Sequence, residues 1–347
     1  HLQPAQPVTY GYFLAGFAQA LERDFARLTE CRARINMSPL GAGAMAGTSF
    51  PIDREATARW LGFDTVGLHA QDCIAARDFL AELLGAAAMT ATTWSRLAQD
   101  MFVMTTFEFG TLNLPDSVAQ TSSMMPQKKN MSALEVLRAG SAQIMGAHTT
   151  AMAGLKSAHY SFGFDSCCDA FRWAWDALDG AVRGAAVAAV VVGKARPRVD
   201  RMADLARVNY SIATDLADLL VRDGGYSFRD AHHLVGAVVR AAMKRGTTAD
   251  RITSSFIAEI ADTAFGWQVD LDADAVTRAV DPAQAVQARR DTGGPSTHDL
   301  DRLFESLDGA LAQDREMLRA WTAAGEAAAD GLEMAFEALA SVTRPGA

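Results

Sequence analysis

Apolar side chains recur every three or four residues over much of the chain, which is the spacing that places them on one face of an α-helix. In the first such stretch the apolar positions are Tyr10, Phe13, Phe17, Leu21, Phe25 and Leu28. The same spacing predicts further helices over about 75–109, from Ser132 onward, over about 169–192, and from Ser296 to the Pro345-Gly346 tail. Alanine is abundant in these segments and β-branched runs are few, which favours helix over strand.

Helices that are apolar on more than one face belong in the middle of a multi-helix bundle or an oligomer core. The sequence therefore predicts an all-α fold, with a bundle of long helices in residues 1–197 and a smaller C-terminal helical domain in residues 198–347. Pro197 marks the boundary because proline ends the preceding helix. Loops are predicted over 36–53 and over 116–130, and the second holds most of residues 120–131, which we name the signature loop.

The formal net charge of −9 over 347 residues argues against a nucleic-acid partner, which would need a basic face. It allows a small dianionic substrate, for which a few local cations suffice. The apolar stretch 180–192 contains Arg183, and its uncharged part is too short to cross a bilayer. No metal or cofactor is expected, since the cysteines lack ligand spacing. The chain is predicted to be cytoplasmic, with reduced and buried cysteines at Cys31, Cys73, Cys167 and Cys168.

The signature loop concentrates polar chemistry just before a helix. It holds several hydroxyls, the adjacent lysines Lys128 and Lys129, and Asn130. A hydroxyl and an ammonium this close suit the abstraction of a proton next to a carboxylate. The oxygen takes the proton, while the ammonium and the amide stabilise the resulting dianionic carboxylate. On composition alone the plainer alternative is preferred, which is a polar surface loop with incidental lysines.

The loop contains the run Ser122-Ser123-Met124-Met125-Pro126-Gln127-Lys128-Lys129-Asn130. This run closely resembles the signature of the fumarase/aspartase superfamily, and within it the argininosuccinate lyase branch. Other segments match that branch in the same order, namely His1–Pro7, Pro39–Ala44, Phe50–Arg54 and Ala213–Asp218. The branch has a Thr before the position of His1, so we expect the natural polypeptide to extend further, with an N-terminal domain that is missing here.

The resemblance implies a carbon–nitrogen lyase that cleaves an N-substituted aspartate to fumarate and an amine. Ser122 would be the catalytic base, His1 the active-site histidine, and Glu135 the carboxylate that orients it. Lys128 and Asn130 would hold the succinyl carboxylate and its aci-carboxylate form. The predicted substrate-binding residues are Ser123, Lys128, Asn130, Met125, Arg54, Gln3, Met131, Tyr160 and Ser161. Plainer alternatives remain, a disordered terminus for His1 and a solvated helix charge for Glu135.

Two departures from the branch bear on the substrate. Met131 stands where the branch usually has Pro, and Tyr160–Asp169 stands where it has Tyr-Asn-Arg-Asp-Leu-Gln-Glu-Asp-Lys. Without that Gln and Lys, a guanidinium-bearing product would lose its polar partners. The sequence therefore predicts another amine, with ethylenediamine-disuccinate (EDDS) lyase as the leading specific hypothesis. The alternative is a true argininosuccinate lyase with a repacked pocket wall.

The resemblance also implies a homotetramer, in which all four subunits build the central bundle and three subunits contribute to each active site. A hypothesis of another class is a crystallin-like structural protein, since the superfamily includes lens crystallins with little or no catalysis. The presence of Ser122, Lys128, Asn130 and Glu135 favours an enzyme.

Overall fold

The computed structural model describes residues 1–342, so the Pro345-Gly346 tail lies outside the described residues. Of these described residues 68% are helical, which confirms the predicted all-α class. The helices are α1 (Tyr10–Ile35), α2 (Arg54–Trp60), α3 (Ala70–Ala75), α4 (Asp78–Met104), α5 (Ser132–Leu155), α6 (Ala174–Lys194), α7 (Val199–Val208), α8 (Ala213–Arg222), α9 (Phe228–Arg245), α10 (Ser254–Phe265), α11 (Ala273–Val280), α12 (Pro282–Ala288) and α13 (Thr297–Val342).

Three pairs of two-residue strands join parts of the connecting segments. The parallel pair is β1 (Met37–Ser38) with β2 (Thr65–Val66). The antiparallel pairs are β3 (Leu112–Asn113) with β6 (Arg196–Pro197), and β4 (Gln120–Thr121) with β5 (Lys129–Asn130). The last pair corrects the prediction that 116–130 is a loop, because Gln120–Thr121 and Lys129–Asn130 pair as a hairpin within it.

Two predicted helices have different bounds in the structure. The stretch predicted over 75–109 contains α4, which begins at Asp78 and ends at Met104. The stretch predicted over 169–192 overlaps α6, which begins only at Ala174 and ends at Lys194. The π-helical turn Asp165–Asp169 and a further turn precede it.

Contacts between residues divide the chain into two compact units. The first unit contains His1–Gly16, Met104–Asn113 and Ala195–Ser306, and the second contains Phe17–Val103, Leu114–Lys194 and the residues from Leu307 onward. These units differ from the predicted division at Pro197 in two respects. Two earlier segments group with residues 195–306, and most of α13 groups with the long helices.

The first unit has its own apolar core. Helices α8, α9, α10 and α11 enclose Leu216, Leu220, Leu234 and Ile257, all of which are buried. Helix α9 has a capping residue at each end. The Ser227 side chain accepts a hydrogen bond from the Asp230 amide at the N-terminus, and Gly246 adopts a left-handed conformation at the C-terminus.

The second unit is built on α4, α5 and α6. Leu84, Met101, Leu134 and Ile144 are buried there, and α5 packs along α6. Close approach of α6 requires a glycine, because a Cβ atom at Gly184 would lie 2.8 Å from the Trp94 ring.

Candidate active site

The signature loop is a β-hairpin with a defined register. Gln120 pairs with Asn130 and Thr121 with Lys129. The Ser122 amide donates a hydrogen bond to the Lys128 carbonyl oxygen at 3.1 Å, which extends the ladder by one residue pair. The hairpin leads directly into α5, which begins at Ser132.

This register sorts the site residues between the two faces of the hairpin. Side chains of successive strand residues point to opposite faces, and residues directly opposite each other share a face. Ser122 and Lys128 therefore lie on one face, together with Asn130 two residues further along. Thr121 and Lys129 lie on the other face. The predicted base and both predicted carboxylate-binding groups thus share one surface.

Backbone amides surround the Ser122 hydroxyl at the tip of the hairpin. Its Oγ accepts hydrogen bonds from the Met124 amide at 3.3 Å and the Met125 amide at 3.1 Å. The Lys128 amide donates to the Met125 carbonyl oxygen at 2.9 Å, which closes the tip. Amide groups aimed at an oxygen favour negative charge on it. Ser122 is half-buried, so the oxygen is both supported and reachable.

The two adjacent lysines have different surroundings. The Lys129 ammonium lies 2.9 Å from the Asp116 carboxylate. The Lys128 side chain is exposed, and within residues 1–342 it has no hydrogen bond or ion pair. Ser123 and Met125 are exposed at the tip. Of the two lysines, Lys128 is therefore the one whose ammonium is unpaired within residues 1–342.

Glu135 and Met131 lie at the start of α5. Met131 is the half-buried N-cap residue, and Glu135 is an exposed acidic residue of the first turn. A negative charge there interacts favourably with the helix dipole.

Tyr160 lies beyond the other end of α5 and is fixed by two contacts. Its hydroxyl donates a hydrogen bond to the Asp72 carboxylate, and the Gln71 side chain donates to its carbonyl oxygen at 2.8 Å. The hydrogen bond to Asp72 raises the pKa of Tyr160 above its ordinary value. Ser161 follows, with its amide bonded to the His159 carbonyl oxygen at 2.8 Å.

The segment after Tyr160 is aromatic and open to solvent. The rings of Phe162 and Phe164 meet edge to face at 5.7 Å, with 58% and 73% of their surfaces exposed. The Arg77 guanidinium donates to the Cys167 sulfur at 3.1 Å. Phe162 and Phe164 thus form an exposed apolar surface. The Tyr160 hydroxyl, in contrast, is already hydrogen-bonded to Asp72.

The prediction that every cysteine is buried is wrong for this segment. All four cysteines are free, and Cys31 and Cys73 are buried, but Cys167 is half-buried and Cys168 is exposed. The reason is local geometry, because both residues lie on the π-helical turn at the edge of the bundle.

Arg54 is held against the backbone of a neighbouring loop. Its Nε donates to the Leu40 carbonyl oxygen at 2.7 Å, and its Nη2 lies 3.8 Å from the Cys73 sulfur. Gly41 permits this approach, because a Cβ there would lie 2.7 Å from the arginine side chain. Cys73 follows Asp72, the partner of Tyr160, so Arg54 lies at the same end of the second unit as Tyr160.

Within one chain, the structure does not bring the hairpin and Tyr160 together. Helix α5 separates them and has 24 residues. At 1.5 Å per residue such a helix is about 36 Å long. Ser122, Lys128, Asn130 and Glu135 lie at its N-terminal end, while Tyr160 follows its C-terminal end. A site that used both groups would have to draw on another copy of the chain.

His1 and Gln3 belong to the first unit and are exposed. The segment that follows them is tied down within that unit. The Gln6 side chain donates to the Thr214 hydroxyl at 3.1 Å. Arg289 donates to the Pro7 carbonyl oxygen at 2.8 Å and pairs with the Asp215 carboxylate at 2.7 Å.

Residues 1–342 contain no group of three or more His, Cys, Asp or Glu side chains that could hold a metal ion. None of their helices has the length and apolarity needed to span a membrane.

Two family profiles match the chain. The family described as Lyase matches residues 1–146, and Argininosuccinate lyase C-terminal matches residues 210–287. Argininosuccinate lyase of Methanothermobacter thermautotrophicus is 35% identical over 316 residues, which cover 91% of this chain and 67% of that protein. The chain belongs to the argininosuccinate lyase branch of the fumarase/aspartase superfamily. Argininosuccinate lyase of Haloarcula marismortui is 38% identical over 92% of this chain and 63% of that protein.

Solved lyase structures agree with this assignment. A variant of EDDS lyase with bound fumarate superposes with a TM-score of 0.90 at 32% identity, over 96% of this lyase and 66% of that chain. EDDS lyase in complex with formate gives 0.89 at 32% identity, over 95% and 65%. The lyase chain thus spans about two thirds of the length of these relatives.

The sequence alone did not point to Asp116 and Asp72, because neither belongs to a run that resembles a family motif.

Proposed function

We propose that the chain is a carbon–nitrogen lyase that cleaves an N-substituted aspartate to fumarate and an amine, and adds amines to fumarate in the reverse direction. The observation that carries this proposal is the position of Ser122. Its hydroxyl oxygen accepts hydrogen bonds from two backbone amides, and the residue lies opposite Lys128 on the hairpin. Membership of a family of fumarate-forming lyases supports the same reaction.

The hairpin provides a base next to a carboxylate-binding group. The Ser122 alkoxide takes a proton from the Cβ carbon of the substrate, and the Met124 and Met125 amides stabilise the negative charge on the oxygen before that transfer. The electrons of the broken C–H bond move into the adjacent carboxylate. Lys128 and Asn130 stabilise the resulting dianion, because charge-assisted hydrogen bonds strengthen as its negative charge grows.

Collapse of that intermediate breaks the C–N bond and releases fumarate. The departing nitrogen needs a proton. His1 is the predicted site residue suited to supply it, since histidine is the side chain that ordinarily titrates near neutral pH. Glu135 is proposed to orient His1. We propose that His1 and Glu135 of one active site come from different chains of the oligomer.

A homotetramer with shared sites is the assembly that we propose. The separation of Ser122 from Tyr160 along α5 supports shared sites, and open apolar faces support the assembly itself. On α5, 60% of Val136 and 50% of Met145 are exposed, and on α6, 72% of Val182 is exposed. Apolar faces of this kind are buried in oligomer cores.

We propose an amine other than arginine, in the manner of EDDS lyase. Phe162, Phe164 and Met131 offer apolar contacts to the amine, and no Gln or Lys side chain stands in the Tyr160–Asp169 stretch to hold a guanidinium group. The two EDDS lyase structures, which match nearly the whole chain, support this choice.

Argininosuccinate is the second candidate substrate. The observation in its favour is that relatives 34–38% identical to the chain are named argininosuccinate lyase. A single assay separates the candidates and also tests the crystallin-like alternative. Fumarate consumption is followed by its ultraviolet absorbance with ethylenediamine or arginine, and product masses are recorded. If the fumarate absorbance falls neither with these two amines nor with any amine of a broader panel, the result contradicts the proposed function.

A further inference from the structure

We propose that Asp116 and Lys129 are positioning residues that fix the register of the signature hairpin and thereby direct Ser122 and Lys128 to the substrate face. The inference rests on the proposed function for its catalytic consequence. The contact that motivates it is the 2.9 Å ion pair between the Lys129 ammonium and the Asp116 carboxylate.

The hairpin needs such a device because its ladder is very short. Each strand has two residues, and an isolated pair of strands is marginally stable in water. A slip of one residue would send every side chain of one strand to the opposite face. In this sequence that slip would place Lys129 where Lys128 now stands, and would remove Asn130 from the face it shares with Ser122.

Adjacent lysines make this error easy, since a slipped hairpin would still present an ammonium on each face. Asp116 distinguishes the two registers. In the observed register, Lys129 faces away from Ser122 and reaches the Asp116 carboxylate, while Lys128 is left for the ligand. The ion pair therefore stabilises the register that the proposed chemistry needs.

Asp116 is a suitable reference point because its own segment is anchored. It opens the 3₁₀ turn Asp116–Val118, and the next residue, Ser117, accepts a hydrogen bond from the Lys194 ammonium at 3.0 Å. Lys194 is the last residue of α6. The Lys194–Ser117 hydrogen bond thus connects the turn to α6, and the Lys129–Asp116 ion pair connects the hairpin to the turn.

The expected effect is modest, because 90% of the Asp116 side chain and 31% of the Lys129 side chain are exposed. Exposed ion pairs contribute little to overall stability. We expect Asp116→Asn and Lys129→Met each to lower kcat for amine addition to fumarate by about fivefold, with an unchanged unfolding temperature. The double variant should be no slower than either single variant, since both remove the same contact.

The test compares the full chain with Asp116→Asn, Lys129→Met, the double variant, Lys129→Arg and the charge swap Asp116→Lys/Lys129→Asp. Lys244→Met, at an exposed position near the end of α9, is the matched control. Kinetic constants are measured with fumarate and ethylenediamine, and amide hydrogen exchange is measured over residues 120–130. Lys129→Arg and the swap should keep kcat within about twofold of the parent, because each retains an ion pair. Exchange in the hairpin should accelerate in both single variants and in the double variant, and should stay at the parent rate in Lys129→Arg and the charge swap.

Several outcomes would overturn the inference. They are unchanged exchange and unchanged kcat in both single variants, additive losses in the double variant, or a swap no more active than the single variants. If the parent chain adds no tested amine while the single variants still accelerate exchange over 120–130, the positioning role stands and the proposed function fails.

Discussion

The two ends of α5 carry opposite kinds of chemistry. At the N-terminal end, a hairpin places a hydroxyl, an ammonium and an amide on one face, and backbone hydrogen bonds between its strands and across its tip hold this arrangement. At the C-terminal end, polar contacts fasten the backbone and the Tyr160 hydroxyl, while Phe162 and Phe164 stay open to solvent. The first arrangement suits a fixed reaction at a dicarboxylate, and the second suits apolar contact with a variable partner.

This difference separates reaction type from substrate choice along a single helix. The proposed proton abstraction depends on groups that must be placed closely, as catalysis requires. In the proposed function, two of the three amine contacts, Phe162 and Phe164, lie about 36 Å from the hairpin of the same chain, while the third, Met131, adjoins the hairpin. Variants at the two ends should therefore fail in different ways.

The largest effect is expected from Ser122→Ala. Loss of the proposed base should lower kcat by at least about a hundredfold, whereas the oligomer and the unfolding temperature should not change. Ser255→Ala, an exposed serine in the first turn of α10, is the control and should keep full activity. Retention of kcat within about tenfold of the parent would remove Ser122 from the role of base.

The next effect concerns the amine end. With fumarate held constant, ethylenediamine and a bulky apolar amine should react at least about tenfold faster than arginine, because a guanidinium would lose water without gaining a polar partner. Apolar bulk should help, since buried apolar surface is worth about 25 cal/mol per Å². Initial rates at matched concentrations of free amine measure this. If arginine is the fastest of the three, the chain is an argininosuccinate lyase with a repacked wall.

Gly154→Ala should disturb the amine end selectively. A Cβ at Gly154 would lie 2.5 Å from the Ala170 Cβ, so the turn before α6 must shift. We expect a loss of about 1–3 kcal/mol in the free energy of unfolding, and altered relative rates among amines with the same KM for fumarate. Gly236→Ala on α9, where only a flexible arginine tip lies nearby at 3.4 Å, should be neutral or stabilising. A changed KM for fumarate with unchanged amine preference would contradict the separation of roles.

The smallest effect is a titration shift. The Asp72 carboxylate raises the pKa of Tyr160 by accepting its hydroxyl hydrogen bond. Asp72→Asn removes that negative charge, so Tyr160 should ionise at lower pH than in the parent. Phenolate absorbance, followed through an alkaline titration of the five tyrosines, measures the change. Asp230→Asn should leave the curve in place, and an identical curve for Asp72→Asn would mean that the contact is absent in solution.

The sequence predicted much of this architecture because helical spacing is a local signal. Helices α1, α5 and α13 begin within a residue or two of their predicted starts. The hairpin was missed, because pairs of two-residue strands have no periodicity to detect. The π-helical turn at 165–169 was missed as well, since a single turn of five residues is too short to show a periodic pattern.

The resemblance placed Ser122, Lys128 and Asn130 in one run, but their shared face follows only from the register of the hairpin. Asp116 and Asp72 had no sequence signal beyond being single acidic residues. Their importance comes from tertiary contacts with Lys129 and Tyr160, which lie 13 and 88 positions away in the chain. Contacts of that kind are fixed by the fold and not by local pattern.

The most direct test of the central claim is subunit complementation between the two ends of α5. Ser122→Ala disables the hairpin end, and Arg54→Ala disables the end near Tyr160, so each variant alone should add amines to fumarate poorly. If one active site takes these groups from different chains, mixed oligomers of the two variants contain some sites with both groups intact. For random mixing, each contributing chain is the right variant half of the time, so about a quarter of the parent activity should return. Activity of the mixture no higher than the mean of the two variants would contradict shared sites.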